Sequence, residues 1–149
     1  MKLVITLLVA SFPLLMIAQT DNDQTVIFTK IGELSDEQIN SSGASRLNFA
    51  IDETEAKNLA KSDLKNGIPF LLLMGGVAPT IIATDPQFEQ EYGIYFYEFG
   101  CTGPENEILI AYNKTIFDYL QNKYGKKWIK EVRDDVVGFK EWKKAYRAN

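Results

Sequence analysis

Leu3 to Leu15 is almost wholly apolar, and no charge falls between Leu3 and Thr20. Met1-Lys2 supplies a positive start, and Met16-Ile17-Ala18 places a small residue at a cut that would leave Gln19 as the new N-terminus. This layout predicts a cleavable secretory signal peptide over residues 1–18. The apolar run, about 15 residues long, is shorter than the roughly 20 that a membrane-spanning helix needs, and Pro13 interrupts it. No lipoprotein anchor is expected, because no Cys follows the cut.

Beyond Gln19 the pattern changes several times. Thr25-Val-Ile-Phe-Thr-Lys-Ile31 is β-branched and aromatic and reads as a strand. Gly32 to Ser45 is polar and reads as a loop, and Leu47 to Ile51 reads as a short strand. Asp52 with Glu55 three residues on is a helix-capping signal. Ala56, Leu59, Ala60 and Leu64 then recur at helical spacing until Asn66-Gly67 stops them. Pro69-Phe-Leu-Leu-Leu-Met74 is a continuous apolar run, as in a strand covered on both faces.

Gly75-Gly76 breaks that strand, and Ile81-Ile82-Ala83 reads as another short one. Asp85-Pro86 is a helix start, with Asp85 as cap, and the helix ends at Gly93. Ile94 to Phe99 is the clearest strand of the chain. Thr102-Gly-Pro-Glu105 reads as a capping box for a long helix reaching about Lys123, with Leu109, Tyr112, Ile116 and Leu120 on one stripe. Trp128, Val132 and Val136 mark a last helix that Gly138 interrupts, and Phe139, Trp142 and Tyr146 continue its spacing. The alternation predicts an α/β (or α+β) fold: one small domain over residues 19–149, with three to four strands and helices packed on the sheet.

Charge and composition narrow the functional classes. Lys2 is the only charged residue of the leader, so the chain after it holds 15 basic and 20 acidic residues, a net of −5. That charge is uneven: Gln19 to Gly125 carries −9, and Lys126 to Asn149 carries +4. An acidic body argues against nucleic acid as the partner, and the basic stretch reads as a solvated helix face. Histidine is absent. That removes Ser-His-Asp and Cys-His catalysis, His-ligated zinc and an imidazole base from consideration. With one cysteine there is no internal disulfide framework, so stability must come from apolar burial.

Cys101 is the sharpest chemical candidate. It stands just past a strand end and before a helix start, where ligands of open α/β sheets bind and where a thiol loses its proton more readily. With neither a second Cys nor a His to assist it, a packed and inert thiol is the favoured reading. The Gly75-Gly76 pair is glycine-rich enough for backbone N–H groups to approach an anion, yet it lacks any phosphate-loop pattern and reads as a turn. The acids Glu89, Glu91, Glu98, Glu105 and Glu107 sit mostly near helix starts, where they favour the helix dipole. No acidic loop of calcium-binding spacing is present.

One ordered set of short motifs stands out. It runs Leu71-Leu-Leu-Met-Gly-Gly-Val-Ala-Pro79, Phe88-Glu-Gln-Glu-Tyr-Gly93, Phe99-Gly-Cys101, Ala111-Tyr-Asn113, Tyr119-Leu120 and Lys123-Tyr-Gly-Lys-Lys-Trp128. This resembles the FEKKY domain of small exported or envelope proteins of Bacteroidetes-type bacteria. The resemblance covers roughly Ile51 to Gly138. The name-giving motif reads Phe88-Glu-Gln-Glu-Tyr92 here, with Gln90 and Glu91 in place of its two lysines. The resemblance implies a bacterial exported setting but brings no activity with it. It directs attention to Gly75, Gly76, Tyr92, Gly100, Cys101, Tyr112, Asn113 and Trp128. Most of these read as packing residues; Asn113, in mid-helix, faces either solvent or a polar pocket.

The sequence therefore points to a non-catalytic periplasmic or secreted domain that binds a small molecule or an envelope protein. Its binding residues are expected among Gly75, Gly76, Tyr92, Cys101, Tyr112 and Asn113, with a groove lined by the aromatics from Tyr92 to Phe99. No cofactor, metal, nucleic acid or lasting membrane span is expected. The alternative is a thiol-dependent enzyme or redox protein using Cys101. A third reading is attachment to an anionic surface through the basic stretch.

Overall fold

The computed structural model describes residues 34–76, 80 and 82–148. The signal peptide and the strand expected over 25–31 lie outside the described residues. Helices α1 (Asp36–Ser41), α2 (Gly43–Arg46) and α3 (Glu53–Asn66) precede strand β1 (Phe70–Met74). Helix α4 (Asp85–Tyr92) crosses to strand β2 (Tyr95–Phe99), and α5 (Asn106–Tyr124) and α6 (Phe139–Ala148) follow. The result is a mixed helix-and-strand domain, with helices packed on a two-stranded parallel sheet. No helix among the described residues is long and apolar enough to cross a membrane.

Helix α3 follows its local signals. The Asp52 carboxylate accepts from the Glu55 N–H at 2.8 Å, and Gly67 closes the helix in the left-handed region at φ 72°. Strand β1 buries its first four residues, as its continuous apolar run requires. The ladder runs from Phe70 opposite Tyr95 to Met74 opposite Phe99. It is extended at both ends, where Tyr95 N–H donates to Pro69 O and Gly75 N–H donates to Phe99 O.

Because Pro69 and Gly75 face β2, strand alternation turns Leu72 to the opposite edge. Asn113 of α5 meets it there. Its Oδ1 accepts from Leu72 N–H at 2.8 Å, and its Nδ2 donates to Leu72 O at 3.0 Å and to Val137 O at 2.9 Å. Val137 N–H also donates to Leu72 O, and Val136 bridges Leu73 in antiparallel sense. A side-chain amide and two valine backbones thus take the place of a neighbouring strand.

A second buried network fixes the N-terminal helices. The Asp63 carboxylate accepts from the Gly43 and Ala44 N–H groups, at 2.6 and 3.0 Å, and from the Tyr112 hydroxyl at 2.7 Å. A side chain at Gly43 would stand 2.6 Å from Leu59 O, so only glycine permits this approach. At the other end, Phe117, Trp128, Phe139 and Trp142 pack ring on ring, with centroids 5.2–6.4 Å apart. They tie α6 to α5.

Several expectations are corrected. The polar stretch before Ser45 contains α1, which Ser35 and Gln38 start with a reciprocal capping box. Leu47 to Phe49 is a turn of 3-10 helix rather than a strand, and it leaves Phe49 and Ile51 exposed. Ile82 and Ala83 are not in a strand either. Thr84, not Asp85, is the residue before α4. Glu105 precedes α5 without a side-chain cap bond, so the expected capping box does not form. Trp128 to Lys130 is a single 3-10 turn, and the helix expected through Val136 is absent. The open edge of β1 draws Val136 and Val137 into pairing instead. Gly138, at φ 77°, turns the chain into α6, and a side chain there would crowd Ile110 at 3.1 Å.

Replacing Asn113 tests the edge arrangement. Asn113→Ala leaves the buried Leu72 N–H without an acceptor and should lower stability by about 3 kcal/mol. Asn113→Asp should cost more at neutral pH, because a carboxylate oxygen would face the Leu72 and Val137 carbonyls. Urea unfolding measures both; a loss below about 0.5 kcal/mol for the alanine variant would show that the edge needs no such partner.

Candidate functional site

The residues singled out from the sequence do not gather at one place. Tyr112 and Asn113 are fully buried on α5 and serve the two networks above. Asn113 therefore faces the sheet edge, neither solvent nor a ligand pocket. Tyr92 is buried at the end of α4, its ring against Phe88 and Tyr124 and its hydroxyl donating to Glu131 at 2.6 Å. Burial, reinforced by the Glu131 carboxylate, raises the Tyr92 phenol above its usual range. A side chain on Gly75 would overlap the Glu98 carboxylate, whereas Gly76 is exposed and open. Trp128 is buried in the aromatic cluster and Gly100 is exposed.

Cys101 is exposed on a bend beyond β2, which corrects the packed reading of its thiol. The aromatic strand is also corrected as a binding surface. Ile94, Phe96 and Phe99 are buried, and Tyr95 and Tyr97 lie half-buried against Phe70. Neither groove described below includes any of them.

Charged groups are buried where α4 meets the 131–137 segment. The Arg133 guanidinium donates to both Asp135 oxygens at 2.9 and 2.7 Å, to Thr80 O at 2.7 Å and to Asp85 Oδ2 at 3.0 Å. It also lies over the Phe96 ring. Asp85 Oδ2 accepts in addition from Ile82 N–H. One turn along α4, Glu89 Oε1 accepts from Phe96 N–H at 3.0 Å, on the outer edge of β2. Asp85 Oδ1 and Glu89 Oε2 are buried with no hydrogen-bond partner. Burial raises the Glu89 carboxyl to about 7; the Phe96 N–H opposes this and the Asp85 charge adds to it. Asp135 is exposed on its outer side, and Arg133 lowers its pKa.

The 131–137 segment held by Arg133 forms part of the largest groove among those described, about 920 Å³ in volume. Lys126, Ile129, Lys130, Val132 and Asp134 line one side of it, and Lys143, Tyr146 and Arg147 of α6 line the other. Phe139 and Trp142 turn one face of α6 into the core, which leaves Lys143 and Arg147, one helical turn apart, along its rim. Asp134 is the single acid of the groove and lies 3.8 Å from Lys143. The Tyr146 ring stacks on Trp142 at 5.2 Å, and the Lys126 ammonium sits 5.8 Å from its centroid. A smaller groove of about 440 Å³ lies beyond Trp142, whose indole N–H donates to Asp118. Sequence reasoning treats these cations as a solvated face. The available signal was the pair of four-residue spacings, Lys126 with Lys130 and Lys143 with Arg147, flanking an apolar and aromatic set.

The Glu89 carboxyl gives a pH dependence with a definite sign. The folded chain keeps this proton between pH 4.5 and about 7, where the unfolded chain has lost it. Its contribution to stability is therefore complete below 4.5 and is lost as pH rises to about 7, on the order of 3 kcal/mol. Glu89→Gln keeps an oxygen for Phe96 N–H and removes the titration. Its thermal midpoint should exceed that of the wild type at pH 8, with the difference shrinking towards pH 4.5. Parallel midpoint-against-pH curves would assign the titration elsewhere.

Comparison of the chain with protein-family models, with curated proteins and with solved structures gave no match in any of the three.

Proposed function

We propose that this protein is a non-catalytic binding domain of the bacterial cell envelope, exported to the periplasm or medium, which takes an anionic ligand in the groove against α6. The observation that carries the reading is the groove lining: Lys126, Lys130, Lys143 and Arg147 against Asp134 alone, with Ile129 and Val132 between them. The resemblance to the FEKKY domain and the signal-peptide pattern support the exported setting. A cleft of this size suits a ligand rather than mere solvent contact. The acidic remainder of the chain steers anions away from other faces and towards this one.

The exposure of Cys101 beyond the end of β2 favours one second reading, thiol chemistry at that position. The two readings separate in a single titration. Tripolyphosphate should bind the wild-type protein at low ionic strength, and affinity should fall at least about tenfold between about 0.05 and 0.5 M salt. Reversing two exposed rim charges, Lys130→Glu with Arg147→Glu, should abolish binding. Cys101→Ser should leave it unchanged. Calorimetry reads all four cases. Binding that survives the double reversal, or no binding at low salt, would contradict the anion reading.

A further inference from the structure

The groove discriminates among anions. Lys126, Lys130 and Arg147 are exposed and Lys143 is half-buried, and exposed ion pairs contribute at most about 1 kcal/mol each. A small anion meets one or two of them, so useful affinity needs an occupant that reaches both rims together. The apolar lining adds a second requirement, since half-buried Ile129, beside Val132 with its small exposed edge, gains only from a ligand with apolar groups of its own. The Tyr146 ring is already engaged by Trp142 and Lys126, which disfavours an occupant that depends on stacking a base or sugar. A fatty acid brings apolar surface with one charge. An acidic polysaccharide brings charge without aliphatic side groups.

A helical peptide carries both on one scaffold. Carboxylates at i and i+4 repeat about one helical turn apart, as Lys143 and Arg147 do on α6, and they can flank a stripe of apolar side chains. Resting on the anion-binding reading, we propose that the groove docks an acidic amphipathic helix of a partner protein, with its apolar stripe on Ile129 and Val132 and its flanking carboxylates on the two cationic rims. Charge complementarity sets the register. The body from Gln19 to Gly125, at −9, repels the same segment from the rest of the surface.

The test uses four probes on the whole protein. They are a synthetic helix-forming peptide with a leucine stripe flanked by glutamates, a scrambled peptide of the same composition, dextran sulfate, and vesicles rich in phosphatidylglycerol. The patterned peptide should bind at least about tenfold tighter than the scrambled one and gain helical circular dichroism on binding. Ile129→Gln should weaken the patterned peptide about tenfold and bring it to the level of the scrambled one. Lys130→Glu with Arg147→Glu should remove both. Equal binding of the two peptides, with both lost on charge reversal, would overturn the helix proposal and leave the anion groove standing. Displacement of the patterned peptide by dextran sulfate or vesicles at lower concentration would overturn it in favour of those surfaces. If no probe responds to charge reversal, the proposal and the anion reading fall together.

Discussion

Two parallel strands cannot stand alone, because each leaves an outer row of backbone groups that burial does not forgive. The described part of this domain meets that constraint with side chains and short extended backbone. Asn113 gives Leu72 both a donor and an acceptor, and Val136 and Val137 complete the same edge. On the far side Glu89 accepts from Phe96. Both polar side chains come from helices, so helix placement and sheet closure are one problem. An unpaired backbone group in this setting costs as much as a poorly packed side chain, which is why the arrangement governs its surroundings.

The edge also shapes the surface. With Val136 and Val137 held against β1, the segment before them is extended and turned rather than helical. Val132 and Asp134 then become a groove wall opposite α6. Arg133, between them, anchors that wall through Asp85, Asp135 and Thr80. The buried acids of α4 are not arranged as a reaction centre open to the groove, since neither Asp85 nor Glu89 lines it. They bind the wall to the sheet, and the raised pKa of Glu89 is a consequence of that burial.

What the sequence made legible was local. Asp52 and Gly67 bound α3 because capping is decided within a few residues. The unbroken apolar run of β1 and the Leu109, Tyr112, Ile116 and Leu120 stripe of α5 are periodicities that survive folding. Val132 and Val136 were misleading because their four-residue spacing fits a helix face as well as it fits two points on a turned segment. The choice between them rests on Leu73, some sixty residues away, which periodicity does not see. The groove was illegible for a related reason: Lys126 and Lys130 become a rim only once the Trp128, Phe139 and Trp142 cluster folds α6 back beside them. Asn113 was visible as an anomaly, a polar residue in mid-helix, but only the strand edge explains it. Cys101 shows the opposite case, where composition suggested burial and a bend past β2 exposes the thiol.

Amide hydrogen exchange at Leu72 and Phe96 tests the dependence on closed edges most directly. Both are outer-edge positions of the two described strands, where an unprotected amide would exchange rapidly. Closure by Asn113 and Glu89 predicts that both exchange only through global unfolding, as slowly as the amides between the strands. Fast exchange at Leu72 in the native protein would contradict the account at its foundation.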